Sequence, residues 1–220
     1  MTFSIAIDGP AGSGKSTMAK LLSQKLGAVY LDTGAMYRTV ALKVIASGKS
    51  TRMEQDVNEI LEHINMKVEI VEGEQRNILD GVIVNEAIRS PEVSMGASDV
   101  GAFGKVREKM VGLQRELSSE YSIVMEGRDI GTYVLPHADY KFFLTASVDE
   151  RARRRQLQLE KEGSKAILED IRKDMEHRDR NDSQRSIAPL KMAEDAIHID
   201  TTLLSIEQVV EEMMRVIHGE

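Results

Sequence analysis

The chain has 220 residues, with 36 acidic side chains against 29 lysines and arginines and a formal net charge of −7. That length suffices for one α/β domain with a full core and a small inserted module, and the negative balance makes it a poor general partner for nucleic acid or for an acidic membrane surface. Cysteine and tryptophan are absent, which excludes disulfides and thiolate metal sites and argues against a stacking platform for single strands. No run of about 18 apolar residues is present. The opening residues 1–8 read as a strand rather than a leader. The expectation is a soluble, cytoplasmic chain, and without an apolar seam a monomer.

Residues 3–7 are short, apolar and β-rich, and predict a buried strand. A glycine-rich loop follows. Met18, Leu21, Leu22 and Leu26 then recur at helical spacing over 15–26. Residues 28–31 predict a second strand, 35–46 a helix ended near Gly48, and 56–64 a short helix. Three short strands follow at 66–71, 76–79 and 82–84, with turns at Gly73 and Asp80-Gly81. Asp-Gly between apolar residues is a strong hairpin signal, so residues 64–97 predict a small β-rich insertion. A helix is expected over 103–117 and core strands at 122–125 and 141–144. From 148 to 185 the chain is charged, arginine-rich and helical, interrupted at Gly163. A last strand at 196–199 and an amphipathic helix at 206–217 close it. Alternating strands and helices imply a parallel sheet, here five-stranded, with helices on both faces.

The loop Gly9-Pro10-Ala11-Gly12-Ser13-Gly14-Lys15-Ser16-Thr17 matches G-x-x-x-x-G-K-[ST] between a strand and a helix, as that motif requires. Glycines let backbone N–H groups curl around phosphate oxygens without Cβ clashes. The helix N-terminus adds about half a positive charge. Lys15 is placed to reach the β- and γ-phosphates of ATP, and the Ser16 hydroxyl to join the shell of Mg²⁺. The fold class is therefore α/β of the P-loop NTPase type. A P-loop names no reaction. The chain lacks the Asn-Lys-x-Asp and Asp-x-x-Gly segments of GTPase switches, and Glu126 offers a carboxylate at a strand end, so kinase is the reading retained.

Loops at strand C-termini of a parallel sheet gather around one crevice. Arg38 and the Arg128-Asp129 pair follow such strands and are candidates for an acceptor phosphate. The competing readings are an exposed helix arginine and a local salt bridge. Arg178, Asp182 and Arg185 stand at i, i+4 and i+7, so one helix face presents all three; the alternative is a surface ion pair of little worth. Arg151, Arg153, Arg154 and Arg155 form either a solvated helix face or part of a lid over ATP, with Arg151 and Arg155 the pair considered for contact with phosphate. The five histidines form no ligand or triad pattern.

The P-loop, Leu31-Asp-Thr-Gly-Ala-Met-Tyr-Arg38, Glu126-Gly-Arg-Asp-Ile-Gly-Thr132, Arg178-Asp-Arg-Asn-Asp182 and Arg185-Ser-Ile-Ala-Pro189 together resemble the bacterial cytidylate kinases, P-loop nucleoside monophosphate kinases. The resemblance spans essentially the whole chain. It implies one kinase domain over 1–220, an acceptor-binding insertion at 64–97, a helical lid at 148–183, and ATP with Mg²⁺ phosphorylating the small-molecule substrates CMP and dCMP. By position it places Thr33, Arg38 and Arg128 at the acceptor phosphate, with threonine where some relatives have serine. It places Tyr37 beside the acceptor, Ser98, Arg107, Asp129 and Arg185 at the cytosine, and Arg178 and Asp182 at the ribose. Lys15, Arg128 and Arg178 are the candidate catalytic residues. A carboxylate such as Asp129 can accept from the cytosine N4 amino group and would repel uracil's oxygen at that place. A kinase of another small metabolite and a non-enzymatic nucleotide-binding regulator are the two alternatives carried.

Overall fold

A computed structural model of the chain describes residues 2–161, 163 and 167–219. Its main sheet is parallel and five-stranded. The strands are β1 (Ser4–Asp8), β2 (Val29–Asp32), β6 (Ile123–Gly127), β7 (Tyr140–Thr145) and β8 (Ile197–Asp200), in the spatial order β2-β6-β1-β7-β8. The expected fold class is confirmed. Successive side chains of a strand point to opposite faces, and this sheet buries both. Ile5 and Ile7 of β1 join Val124, Phe142, Leu144 and Ile199 in one apolar cluster. Ala6 joins Leu31, Ile123 and Met125 in the other. Helices α1 (Lys15–Leu26) and α8 (Ile206–His218) cover the first face through Met18, Leu22, Val209 and Met213. Helices α2 (Thr33–Ala46) and α5 (Gly104–Glu120) cover the second through Met36, Val40, Val106 and Met110. Each of these large apolar side chains contributes about 1.5–3 kcal/mol on burial.

The helix ends are written in the sequence. Gly27 ends α1 at φ 62, a left-handed conformation that costs glycine little. The Asp32 carboxylate caps α2 by accepting from Ala35 N–H at 2.9 Å. Ser205 and Gln208 form a reciprocal capping box at the start of α8.

Helix α3 (Glu54–His63) leads into an antiparallel sheet of β3 (Met66–Val71), β4 (Glu74–Leu79) and β5 (Val82–Ile83). Both its turns have two consecutive residues at positive φ, Glu72-Gly73 and Asp80-Gly81, the geometry that suits the right-handed twist of a hairpin. The β-rich character expected up to residue 97 stops earlier, because helix α4 (Pro91–Val100) occupies the end of that stretch. Ser90 accepts from Val93 N–H at 3.2 Å and Pro91 fills the first turn, a start signal that lies in Ser90-Pro91 and that the strand pattern upstream obscured. A wide π-type turn at Ile130–Val134 was also not foreseen. The charged segment forms α6 (Val148–Lys161) and α7 (Leu168–Gln184). Ala152, Ile171 and Met175 give it a small apolar cluster of its own. Of the expected lid, residues 162 and 164–166 lie outside the described residues. No helix among the described residues is long and apolar enough to cross a membrane.

Candidate active site

Strands β1, β6 and β2 end side by side, and their following loops supply the site. After β1 the chain turns through Gly9, Gly12 and Gly14, all at positive φ. A Cβ on Gly9 would overlap the Leu144 carbonyl, and one on Gly12 would lie 3.1 Å from Cβ of Arg151. The loop can therefore curl only as glycine. The buried Lys15 ammonium donates to Pro10 O at 2.7 Å, inside the curl. Burial first, and the Arg128 charge second, pull its pKa down to about 7.

Ser16 Oγ donates to Glu126 Oε2 at 2.9 Å, and the Tyr30 hydroxyl donates to Glu126 Oε1. Burial, reinforced by Asp32, pushes the Glu126 carboxyl up from the usual carboxylate range. This hydroxyl and carboxylate are hard oxygen donors of the type Mg²⁺ takes. Among the described residues no cluster of three or more His, Cys, Asp or Glu could hold a metal.

On the acceptor side, Thr33 Oγ1 donates to Glu126 O at 2.7 Å, and Arg38 pairs with Asp32 at 2.7 Å. A Cβ on Gly34 would stand 3.1 Å from both Arg38 Nη1 and Asp32 Oδ1, so it would press on that ion pair. Arg128 Nε donates to Asp182 Oδ2 at 2.8 Å, while Ser98 Oγ reaches Asp182 Oδ1 at 3.4 Å. The loop after β6 is thus tied to α7 and α4. For Asp182 burial opposes ionisation, but the Arg128 and Arg185 charges outweigh it and its pKa falls. Burial first, then the Arg128 charge, lowers Arg178 to about 10, with Arg38 and Arg155 adding to the repulsion.

Deeper in the crevice, Arg107 is 1% exposed. It pairs with Asp129, donates to Gly101 O at 3.3 Å, and lies against the rings of Tyr37 and Tyr133 at 5.6 and 5.9 Å. Arg185 Nη2 stands 3.8 Å from the other oxygen of Asp129. Nε of Arg38, Arg178 and Arg185, and Nη2 of Arg185, are buried without a hydrogen-bond partner among the described residues. A buried donor left unpaired costs about 1–3 kcal/mol. A set of them on adjacent guanidiniums is suited to an anionic ligand rich in acceptors.

These contacts bring the candidates from Thr33 to Arg185 into one neighbourhood, and the charges of Arg128 and Glu126 reach Lys15 in the phosphate loop. Arg151 belongs elsewhere. It is 3% exposed and ties Ala11 O at 2.9 Å, Ala146 O at 3.0 Å and Asp179 at 2.7 Å, so it joins the P-loop to α6 and α7 and does not face the crevice as a free cation. Arg154 donates to Thr201 O at 2.6 Å, and Thr201 Oγ1 donates to Ser13 O at 3.1 Å. Asp32, Tyr30 and Thr201 were missed from the sequence. Only Asp32 carried a signal, as a helix N-cap immediately before Thr33.

Residues 5–219 match the family model described as cytidylate kinase. A cytidylate kinase of Caldicellulosiruptor saccharolyticus is 48% identical over 214 residues, covering 97% of this chain and 95% of its own. One of Bacillus cereus is 46% identical over 218 residues, covering 98% and 96%. Among solved structures, an uncharacterized protein from Eubacterium ventriosum covers 100% of both chains at TM-score 0.54 and 12% identity, a likeness of fold alone. With a family model matched along nearly its whole length and full-length relatives near half identity, the chain belongs to the cytidylate kinase family.

Proposed function

We propose that the chain transfers the γ-phosphate of ATP to CMP or dCMP, giving ADP and CDP or dCDP. The observation that carries this reading is the buried Arg107–Asp129–Arg185 group, with Nε and Nη2 of Arg185 making no hydrogen bond among the described residues. Cytosine offers an N4 donor with acceptors beside it, whereas uracil puts an acceptor at the N4 place. Asp129 would take the N4 hydrogen and the guanidiniums the base's acceptors. A site built for one hydrogen-bond pattern can reject a base lacking it by factors of about 10⁴.

In this reading the P-loop amides and Lys15 hold the β- and γ-phosphates. Thr33, Arg38 and Arg128 grip the acceptor phosphate, the two arginines exchanging part of their bonding to Asp32 and Asp182 for it. Arg178 and Asp182 would take the ribose, and Ser98 would join the groups at the cytosine. An acceptor phosphate oxygen bonds to the γ-phosphorus as the bond to the bridging oxygen breaks, and ADP leaves with that electron pair. Arginines at the transferring group neutralise charge as it spreads onto the equatorial oxygens. Ser16 and Glu126 would hold Mg²⁺, which when bound supplies charge neutralisation at the β- and γ-oxygens. We read the sheet β3–β5 as the acceptor module and α6–α7 as a lid; the separate small core of the latter supports its moving as one body, and closure would keep water from the γ-phosphate.

The test is ADP release from Mg·ATP with CMP, dCMP, UMP, AMP, GMP and shikimate, each against a blank without acceptor. Turnover with CMP and dCMP and little with the rest is expected. Strong turnover with another acceptor would discard the base-reading assignments. ATP binding without turnover on any acceptor would favour a regulator.

A further inference from the structure

Asp8 is the last residue of β1, directly before the phosphate loop, and is 4% exposed. Its Oδ1 accepts from Ile130 N–H at 2.8 Å and its Oδ2 from Gly131 N–H at 2.7 Å. Both oxygens of a buried carboxylate are thus committed to two consecutive amides, and those amides follow immediately on Arg128 and Asp129. The ladder between β1 and β6 stops at the pair Asp8–Gly127. Beyond it the chain enters the wide turn in which Tyr133 N–H and Val134 N–H both return to Asp129 O. The first amides of a helical turn have no partner within it, and Asp8 supplies one from the neighbouring strand. The arrangement has a cost. Burial pushes the Asp8 carboxyl up to about 6 although the Gly131 and Ile130 amides pull it down, with Asp129 raising it and Lys15 lowering it. Nothing in the transfer itself uses this carboxylate.

We propose that Asp8 is a positioning residue: by tying the Ile130 and Gly131 amides to the end of β1, it fixes Arg128 and Asp129 relative to the phosphate loop that starts one residue later. The strand that delivers the donor phosphate thereby also sets the place of the groups that read the acceptor. This rests on the reading of the chain as a CMP kinase. A misplacement of about 1 Å between reacting partners can cost 10²-fold in rate, so the tie bears on activity without touching either substrate.

The test uses Asp8→Asn in the full chain. Asparagine keeps the shape and one acceptor oxygen but turns an NH₂ toward the second amide. The expected result is an acceptor KM for CMP raised about tenfold or more and a CMP-to-UMP preference lowered about fivefold or more. The Kd for ATP, measured by calorimetry without acceptor, should change by a clearly smaller factor than the acceptor KM, the part that does change coming from loss of the carboxylate charge that acts on Lys15. A folded variant with unchanged KM and preference overturns the proposal. So does an ATP Kd weakened by the same factor as the acceptor KM, since Asp8 would then serve the phosphate loop. If the variant does not fold, amide hydrogen exchange on the wild-type chain decides: Ile130 and Gly131 should exchange as slowly as β1, and exchange as fast as surface loops overturns the tie. The exchange measurement involves no substrate, and the wild-type acceptor panel is run separately, so failure of the tie and failure of the CMP reading are told apart.

Discussion

Replacing Arg107 by methionine tests the centre of the proposed acceptor site. Arg107 and Asp129 are 1% and 5% exposed and pair with one another. Methionine fills most of the stem's volume but leaves the Asp129 carboxylate with only Arg185, 3.8 Å away. Breaking a buried pair by removing one partner costs about 3–5 kcal/mol. The contacts of the guanidinium with Tyr37 and Tyr133 are each worth about 0.5–2 kcal/mol, and sulfur against the same rings recovers part of that. Arg185 offsets a further part, so about 3 kcal/mol is the expected net loss. In a protein of this size that lowers Tm by about 6–12 °C. Urea unfolding followed by circular dichroism reads the stability, and ADP release reads the CMP preference. Adding Asp129→Leu should restore most of the stability, because removing both charges of a buried pair is about neutral, yet leave the cytosine preference absent. Arg107→Met within about 1 kcal/mol of wild type, or a double variant whose loss is the sum of the singles, would refute the account.

Lys15, at about 7 because of burial and the Arg128 charge, should regain its proton when a triphosphate arrives; at a pH of about 8 ATP binding is then expected to take up close to one proton, measured by calorimetry in buffers of different ionisation heat. Lys15→Met should abolish the uptake, and none in wild type would contradict the electrostatics. Gly9→Ala places a methyl on the Leu144 carbonyl and should eliminate measurable ATP binding; wild-type affinity would show that the loop tolerates a Cβ. Gly112 in α5 has nothing within 4 Å of its Cβ position, so Gly112→Ala should stabilise the fold by about 0.5–1 kcal/mol, and a loss in urea unfolding would count against that open space. Arg151→Ala removes the ties to Ala11, Ala146 and Asp179. It should make α6–α7 the first site of proteolysis and weaken ATP about tenfold or more, bonds to charged groups being worth about 1.5–3 kcal/mol each; unchanged proteolysis would remove Arg151 as the link.

The phosphate loop was legible from the chain alone because its function is a local backbone curl set by Gly9, Gly12 and Gly14 within one stretch. The short apolar, β-rich run over 3–7 announced a buried strand, and Asp80-Gly81 announced a hairpin, for the same reason: each is a short-range constraint of backbone and pattern. Helical spacing placed Arg178 and Asp182 on one face, but Arg185, expected on the same face, lies just past the end of α7 at Gln184 in a non-helical conformation, and what any of the three meets was not legible. Helix α4 escaped because a run of strands preceded its Ser90-Pro91 start. Tertiary structure alone decided that Arg151 is a buried tie, that Asp32 and Asp182 hold Arg38 and Arg128, and that Asp8 meets amides 122 and 123 positions away. A carboxylate's partner across a sheet depends on which strands become neighbours, and that order follows from burying both faces of the whole sheet at once rather than from any window of residues.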